Sequence, residues 1–159
     1  MTKKILILGA SSDIGIQVVK KYLQNDWSVV AHFSKNSKEL KKIKNKNLKI
    51  FKYDLKKINN LEKFIKRSAL FKDLRSFISL TGYIQPSKFS DIKIKNFYDH
   101  INVNYLSNII ILKNILPNMK KKRFGRVLLS WSTGVKFGGS TNTILYSLNK
   151  YMNEFFITN

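Results

Sequence analysis

The 159-residue sequence has no cysteine, two prolines, seven glycines, and nine acidic residues against thirty basic ones. Each shortage excludes something. Without cysteine there are no disulfides, no thiolate metal sites and no cysteine nucleophile, which fits a reducing compartment. No Pro/Gly-rich linker interrupts the chain, and at this length one domain over 1–159 is expected. Apolar runs such as Ile109 to Leu112 fall far short of the roughly 20 residues of a membrane helix. The start, Met1-Thr2-Lys3-Lys4 leading into Ile5-Leu6-Ile7-Leu8-Gly9, is too short for the apolar part of a signal peptide and lacks a small-residue cleavage site. These readings predict a soluble, cytoplasmic domain. With 43% hydrophobic and 13% aromatic residues, a packed core is expected rather than a disordered basic tail.

The net charge of +21 raises nucleic acid as a partner, because Lys and Arg clusters neutralise phosphates and release counterions. The lysines are nevertheless spread over nearly the whole chain and arrive with Asn and Ile, as in Leu40-Lys41-Lys42-Ile43-Lys44-Asn45-Lys46-Asn47. All three residue types have A/T-rich codons, so biased codon usage that fills solvent positions with Lys explains the excess, and no nucleic-acid partner is expected. The densest run, Lys120-Lys121-Lys122-Arg123, ends a helical segment and complements its dipole.

Short runs rich in Ile, Val and Phe alternate with longer segments of helical periodicity, the pattern of βαβ units around a parallel sheet. It predicts strands over 4–8, 28–33, 49–53, 76–80 and 126–130, with helices over 14–25, 37–44, 58–68, 94–119 and from about 142 onward. The segment 97–116 is apolar on more than one face and is expected to be buried on two sides, by the sheet plus another helix or by a second subunit.

Two motifs carry chemistry. The first strand runs into Gly9-Ala10-Ser11-Ser12-Asp13-Ile14-Gly15 and then an amphipathic helix. Small residues let the backbone turn sharply and approach a pyrophosphate, and exposed N–H groups at the helix start attract the anion; a purely structural turn is the alternative. The second motif is Tyr146-Ser147-Leu148-Asn149-Lys150. Four residues apart on a helix, the phenol and the ammonium share a face, and the cation favours the phenolate, making tyrosine a usable acid/base; a solvated helix face is the alternative.

Together with a Ser/Gly segment upstream of the tyrosine, Leu129-Ser130-Trp131-Ser132-Thr133-Gly134, these motifs stand in an order that resembles the short-chain dehydrogenase/reductase family. Tyr53-Asp54-Leu55, at the end of the third strand, and Val103-Asn104, in the long helix, are similar to two further family positions. The resemblance covers nearly the whole chain. It implies a three-layer, doubly wound parallel sheet (α/β, Rossmann fold) with strand order 3-2-1-4-5, lacking the C-terminal strands, so that the chain is expected to be an incomplete NAD(P)-binding domain. It implies an oxidoreductase moving hydride between a nicotinamide and a carbonyl or secondary alcohol. Tyr146 would exchange the proton, Lys150 would hold the nicotinamide ribose and depress the tyrosine pKa, Ser132 would hydrogen-bond the substrate oxygen, and Asn104 would support a relay water near the lysine. Ser130 is assigned to the strand end. Gly9, Ser11, Ser12, Ile14, Gly15, Ser34, Lys35, Asp54, Leu55, Gly82, Tyr146 and Lys150 would hold the cofactor, and no metal is expected.

The chain departs from the family pattern where Asp13 replaces a glycine and where Ser79-Leu80-Thr81-Gly82 follows the fourth strand. After the second strand, His32-Phe33-Ser34-Lys35-Asn36-Ser37-Lys38 contains no acid before Glu39. An acid there binds the ribose hydroxyls of NAD, whereas a base tolerates the extra phosphate, so NADP is preferred, with NAD possible. Two other readings remain: an impaired nucleotide-binding or subunit-interaction module, with a homo-oligomer formed through helices around 97–116 and 146–157, and a basic nucleic-acid-binding domain.

Overall fold

The computed structural model describes residues 3–158. Successive side chains of a strand point to opposite faces, and the first strand, β1 (Lys4–Leu8), is apolar on both. Such a strand belongs in the middle of a sheet covered on two sides. The structure places it there: five parallel strands lie in the order β3-β2-β1-β4-β5, with β2 Ser28–Phe33, β3 Leu48–Lys52, β4 Ser76–Ser79 and β5 Arg126–Leu129. Ile5 pairs with Val29 on one side and with Ser76 on the other.

Ile5 and Ile7, with Val29, Ala31 and Phe33, meet α1 (Asp13–Gln24) and α2 (Lys38–Lys42) through Ile16, Val19, Leu23 and Leu40. Leu6, Leu8, Val30 and Phe77 meet the opposite layer, built by α3 (Leu61–Arg67) and α5 (Ser107–Lys121) through Leu61, Ile65, Ile111, Leu112 and Met119. This is the expected three-layer, doubly wound arrangement. The strands fall within one residue of the expected limits. At the β5 edge the covering thins: Arg126 and Leu128 are exposed, and β4 is the sole strand neighbour of β5 among the described residues.

The helices differ more. In place of one helix over 94–119 there are α4 (Ile94–Ile101), a π-helical turn (Asn102–Leu106) and α5. Periodicity does not register a single widened turn, and this one surrounds the fully buried Asn104. The segment 58–68 splits into a 3-10 turn and α3, and a short helix, α6 (Gly134–Phe137), precedes α7 (Ile144–Thr158). No helix among the described residues is long and apolar enough to cross a membrane.

Candidate active site

At the carboxyl ends of the strands, where β1 and β4 diverge to opposite crossovers, lies an open cleft of about 690 Å³, within the range of small-molecule sites. Its floor is the turn after β1. Gly9 has φ +70°, a left-handed conformation, and a Cβ there would lie 3.0 Å from the Leu80 carbonyl carbon. A Cβ on Gly15 would lie 2.5 Å from the Gly9 carbonyl oxygen, so neither position accepts a side chain. Ser12 caps α1: its Oγ accepts from the Gly15 N–H at 3.0 Å and donates to the Gly9 carbonyl at 2.9 Å. The helical ladder begins with Ile16 N–H on the Ser12 carbonyl at 2.8 Å, which leaves the preceding amides at the positive end of the helix dipole. Gly9, Ser11 and Ser12 line the cleft, whereas Gly15 is buried under the turn and the Ile14 side chain is exposed.

One residue that the sequence reading left without a role holds this turn in place. His32 is buried on β2; its Nδ1 accepts from the Gly9 N–H at 3.3 Å and its Nε2 donates to the Tyr53 carbonyl at 2.9 Å. That pair of bonds fits only the neutral Nε2–H tautomer, and burial pushes its pKa below the ordinary 6.5. The imidazole thereby ties together the carboxyl ends of three strands. The one signal for it in the sequence is a lone polar ring in the otherwise apolar run Val29-Val30-Ala31-His32-Phe33.

One end of the cleft is lined by Ser34, Lys35, Asn36, Asp54 and Leu55. Asp54 accepts from the Lys56 N–H at 3.1 Å. Glu39 instead pairs with Lys42 at 2.7 Å on α2 and is not part of the lining. The other end is lined by Leu80, Thr81, Gly82 and Tyr83. Over Gly82 stands the Tyr146 phenol, 3.8 Å from where a Cβ on that glycine would be, and its hydroxyl has no hydrogen-bond partner among the described residues. Lys150, one turn along α7, is 2% exposed. Its Nζ lies 5.6 Å from the Tyr146 ring centroid and donates to Thr81 O at 2.9 Å, Ser130 O at 3.0 Å and Ser130 Oγ at 2.7 Å. Burial without a carboxylate partner lowers its pKa from 10.5 to about 8.

The structure thus brings Tyr146, Lys150 and Gly82 together. Ser130, assigned to the strand end, is the serine that touches Lys150, while Ser132 accepts from the Gly134 N–H at 3.2 Å and bonds to neither Tyr146 nor Lys150. Asn104 is fully buried beside these residues. Its Oδ1 accepts from the Tyr83 N–H at 2.7 Å and its Nδ2 donates to the Tyr83 carbonyl at 2.8 Å. Its own carbonyl accepts from Asn108 Nδ2 at 3.0 Å and Asn153 Nδ2 at 2.8 Å. No group of three or more His, Asp or Glu is placed to hold a metal among the described residues. The glycine cradle, the helix start and the volume of the cleft fit a dinucleotide.

The sequence profile of the short chain dehydrogenase family matches residues 3–156. An uncharacterized oxidoreductase of Bacillus subtilis, YvrD, is 26% identical over 163 residues, which take in 96% of this chain and 62% of that protein. Among solved structures, ElxO with NADP bound superposes with a TM-score of 0.77 at 24% identity, covering 98% of this chain and 65% of that one. An NADH-dependent reductase complexed with NAD gives 0.80 at 16% identity, covering 98% and 69%. The chain therefore spans about two thirds of the length of these relatives. Its β3-β2-β1-β4-β5 sheet, its glycine turn and its match over nearly the whole sequence make it a member of the short chain dehydrogenase family.

Proposed function

We propose that this protein is an NADP-preferring oxidoreductase that interconverts a carbonyl compound and a secondary alcohol, with Tyr146 as general acid/base. The observation that carries the reading is the placement of the Tyr146 phenol above Gly82 with the Lys150 ammonium buried beneath it. Gly9, Ser11 and Ser12 would hold the diphosphate, Asp54 and Leu55 the adenine, and Lys150 the nicotinamide ribose. The bound dinucleotide supplies the hydride in reduction and accepts it in oxidation. In reduction Tyr146 gives its phenolic proton to the substrate oxygen, and in oxidation it takes that proton back. With a pKa of about 8, Lys150 is still mostly cationic at neutral pH and favours the phenolate that forms. Ser132, at the mouth of the loop after β5, hydrogen-bonds the substrate oxygen and stabilises its developing charge.

Preference for NADP rests on Lys35, exposed on the cleft wall, and on the pairing of Glu39 with Lys42, which leaves no carboxylate for the ribose at the end of β2. ElxO, crystallised with NADP, and the NADH-dependent reductase, with NAD, share the fold and use different cofactors, so the discrimination is local. Fluorescence titration should show NADPH binding more tightly than NADH, and Tyr146→Phe should lose turnover by about 10²- to 10⁴-fold with NADPH affinity kept. A clear preference for NADH overturns the cofactor assignment; undiminished turnover in the phenylalanine variant overturns the role of Tyr146.

A second copy of the chain is the proposed partner. On α7 the apolar residues Ile144, Leu148, Tyr151 and Phe155 follow helical spacing and are 41%, 43%, 55% and 62% exposed, a stripe that a matching helix would cover. Sedimentation should find a dimer that Leu148→Glu splits; a wild-type monomer at high concentration would count against it.

A further inference from the structure

Beneath the tyrosine and lysine lies a set of buried amides that the proposed reaction does not use. Asn104, Asn108, Asn149 and Asn153 are 0%, 1%, 1% and 3% exposed. Burying an amide is costly unless it finds partners, so positions inside the α5–α7 packing would be filled more cheaply by leucine. Codon bias fills surfaces with asparagine, but it does not aim two buried side chains at one carbonyl. Here Asn108 Nδ2 and Asn153 Nδ2 both donate to the Asn104 oxygen, at 3.0 and 2.8 Å, and Asn108 Nδ2 also reaches Asn153 Oδ1 at 3.3 Å.

The acceptor they hold is not an ordinary helical carbonyl. Asn104 lies in the π-helical turn between α4 and α5, and its carbonyl accepts from two side chains. The Asn104 side chain in turn grips the backbone of Tyr83 in both directions, N–H and C=O. Tyr83 follows Gly82, the residue under the Tyr146 phenol. Three residues before Asn153 on the same helix, Lys150 reaches the Thr81 carbonyl directly. The lip formed by Thr81, Gly82 and Tyr83 is therefore fastened to α7 at two points, one through Lys150 and one through Asn153 and Asn104.

We propose that Asn153 is a positioning residue which, together with Asn108, fixes the Asn104 carbonyl and so sets the height of the Gly82–Tyr83 lip against Tyr146. The link from lip to chemistry rests on the oxidoreductase reading above; the link from Asn153 to the lip does not. Lys150 holds the Thr81 carbonyl, whereas among the described residues the backbone of Tyr83 is held through Asn104, with its ring resting against Lys56 and His100. A displaced lip disturbs the end of the cleft where Tyr146 stands more than the wall at Lys35, which follows β2.

The test is Asn153→Leu, close in shape and unable to donate, with Asn108→Leu as the second variant should the first not fold. Amide hydrogen exchange on the 159-residue chain should show protection at the Tyr83 N–H falling about tenfold or more, the scale of one lost net hydrogen bond, while the β1 amides exchange as in the wild type. NADPH affinity should fall about fivefold or more, with adenosine 2′,5′-bisphosphate, which fills the far end alone, still binding within about twofold. Unchanged protection at Tyr83 overturns the proposal, as does a loss shared equally by β1, which is what a merely structural asparagine would give. A parallel loss of both ligands also overturns it. A wild-type chain that binds neither ligand would refute the oxidoreductase reading, and the exchange at Tyr83 would still decide the part played by Asn153.

Discussion

The two halves of the sheet are held together by different physics. Around β1 and β2 the structure is apolar on both faces: Ile5, Leu6, Ile7, Val29 and Ala31 are all 0% exposed, and a single polar ring, His32, is spent on the glycine turn. Around β4, β5 and α7 polar groups are buried alongside Phe77, Ile78 and Leu145, with Ser79, Thr81, Asn104, Asn108, Asn149, Lys150 and Asn153 all inside. Two of those amides, Asn108 and Asn149, have a buried Oδ1 that meets no donor among the described residues. Apolar burial is non-directional and tolerant, which suits a half whose task is to present backbone amides to a ligand. Hydrogen-bonded networks are directional and expensive, and they appear where a phenol, an ammonium and a backbone lip must keep fixed positions.

The largest expected effect separates the halves on stability. Leu6→Ala removes a fully buried side chain from the centre of the sheet and should cost about 2–5 kcal/mol. Leu128→Ala, on β5, removes one that is 50% exposed and should cost about 0.5 kcal/mol or less. Urea unfolding of both variants measures the contrast. Equal losses would mean that β5 is covered in solution by something that buries Leu128, such as a second copy of the chain, and the comparison between a closed and an open side of the sheet would fail.

The same division governs what could be read from the amino acids. The apolar half was legible because its forces follow simple periods: alternation across β1 and β2, the 3.6-residue repeat of α1, and two glycines demanded by steric contact at Gly9 and Gly15. The place of Tyr146 and Lys150 on one helix was legible from their spacing, and the sheet order from the family resemblance. The polar half was not. That Ser130 rather than Ser132 meets Lys150 depends on how the strand end faces α7, over 20 residues of intervening chain. The capture of the Asn104 carbonyl by Asn153 spans 49 residues, and it needs a π-helical turn that no hydrophobic period announces. His32 was hidden for the related reason that its partners, Gly9 and Tyr53, come from two other strands. Non-local hydrogen bonds carry no signature in a linear pattern, whereas burial does.

A smaller effect distinguishes the halves by pH. Lys150 is buried with three oxygen acceptors and no carboxylate, and its pKa drops from 10.5 to about 8. Between those values the unfolded chain holds a proton that the folded chain has released, so stability rises with pH across that window and levels off above it. Below pH 8 both states are protonated and the cost of burying the ammonium is constant. Lys150→Met removes the titrating group while keeping the aliphatic stem. Relative to this variant, the wild-type chain should gain about 1–3 kcal/mol between pH 8 and 10.5, measured as the difference between two urea midpoints at each pH so that the remaining lysines cancel. A flat difference curve for Lys150→Met would mean that the ammonium is solvated or paired in solution, and that the polar half is less closed than its hydrogen bonds describe.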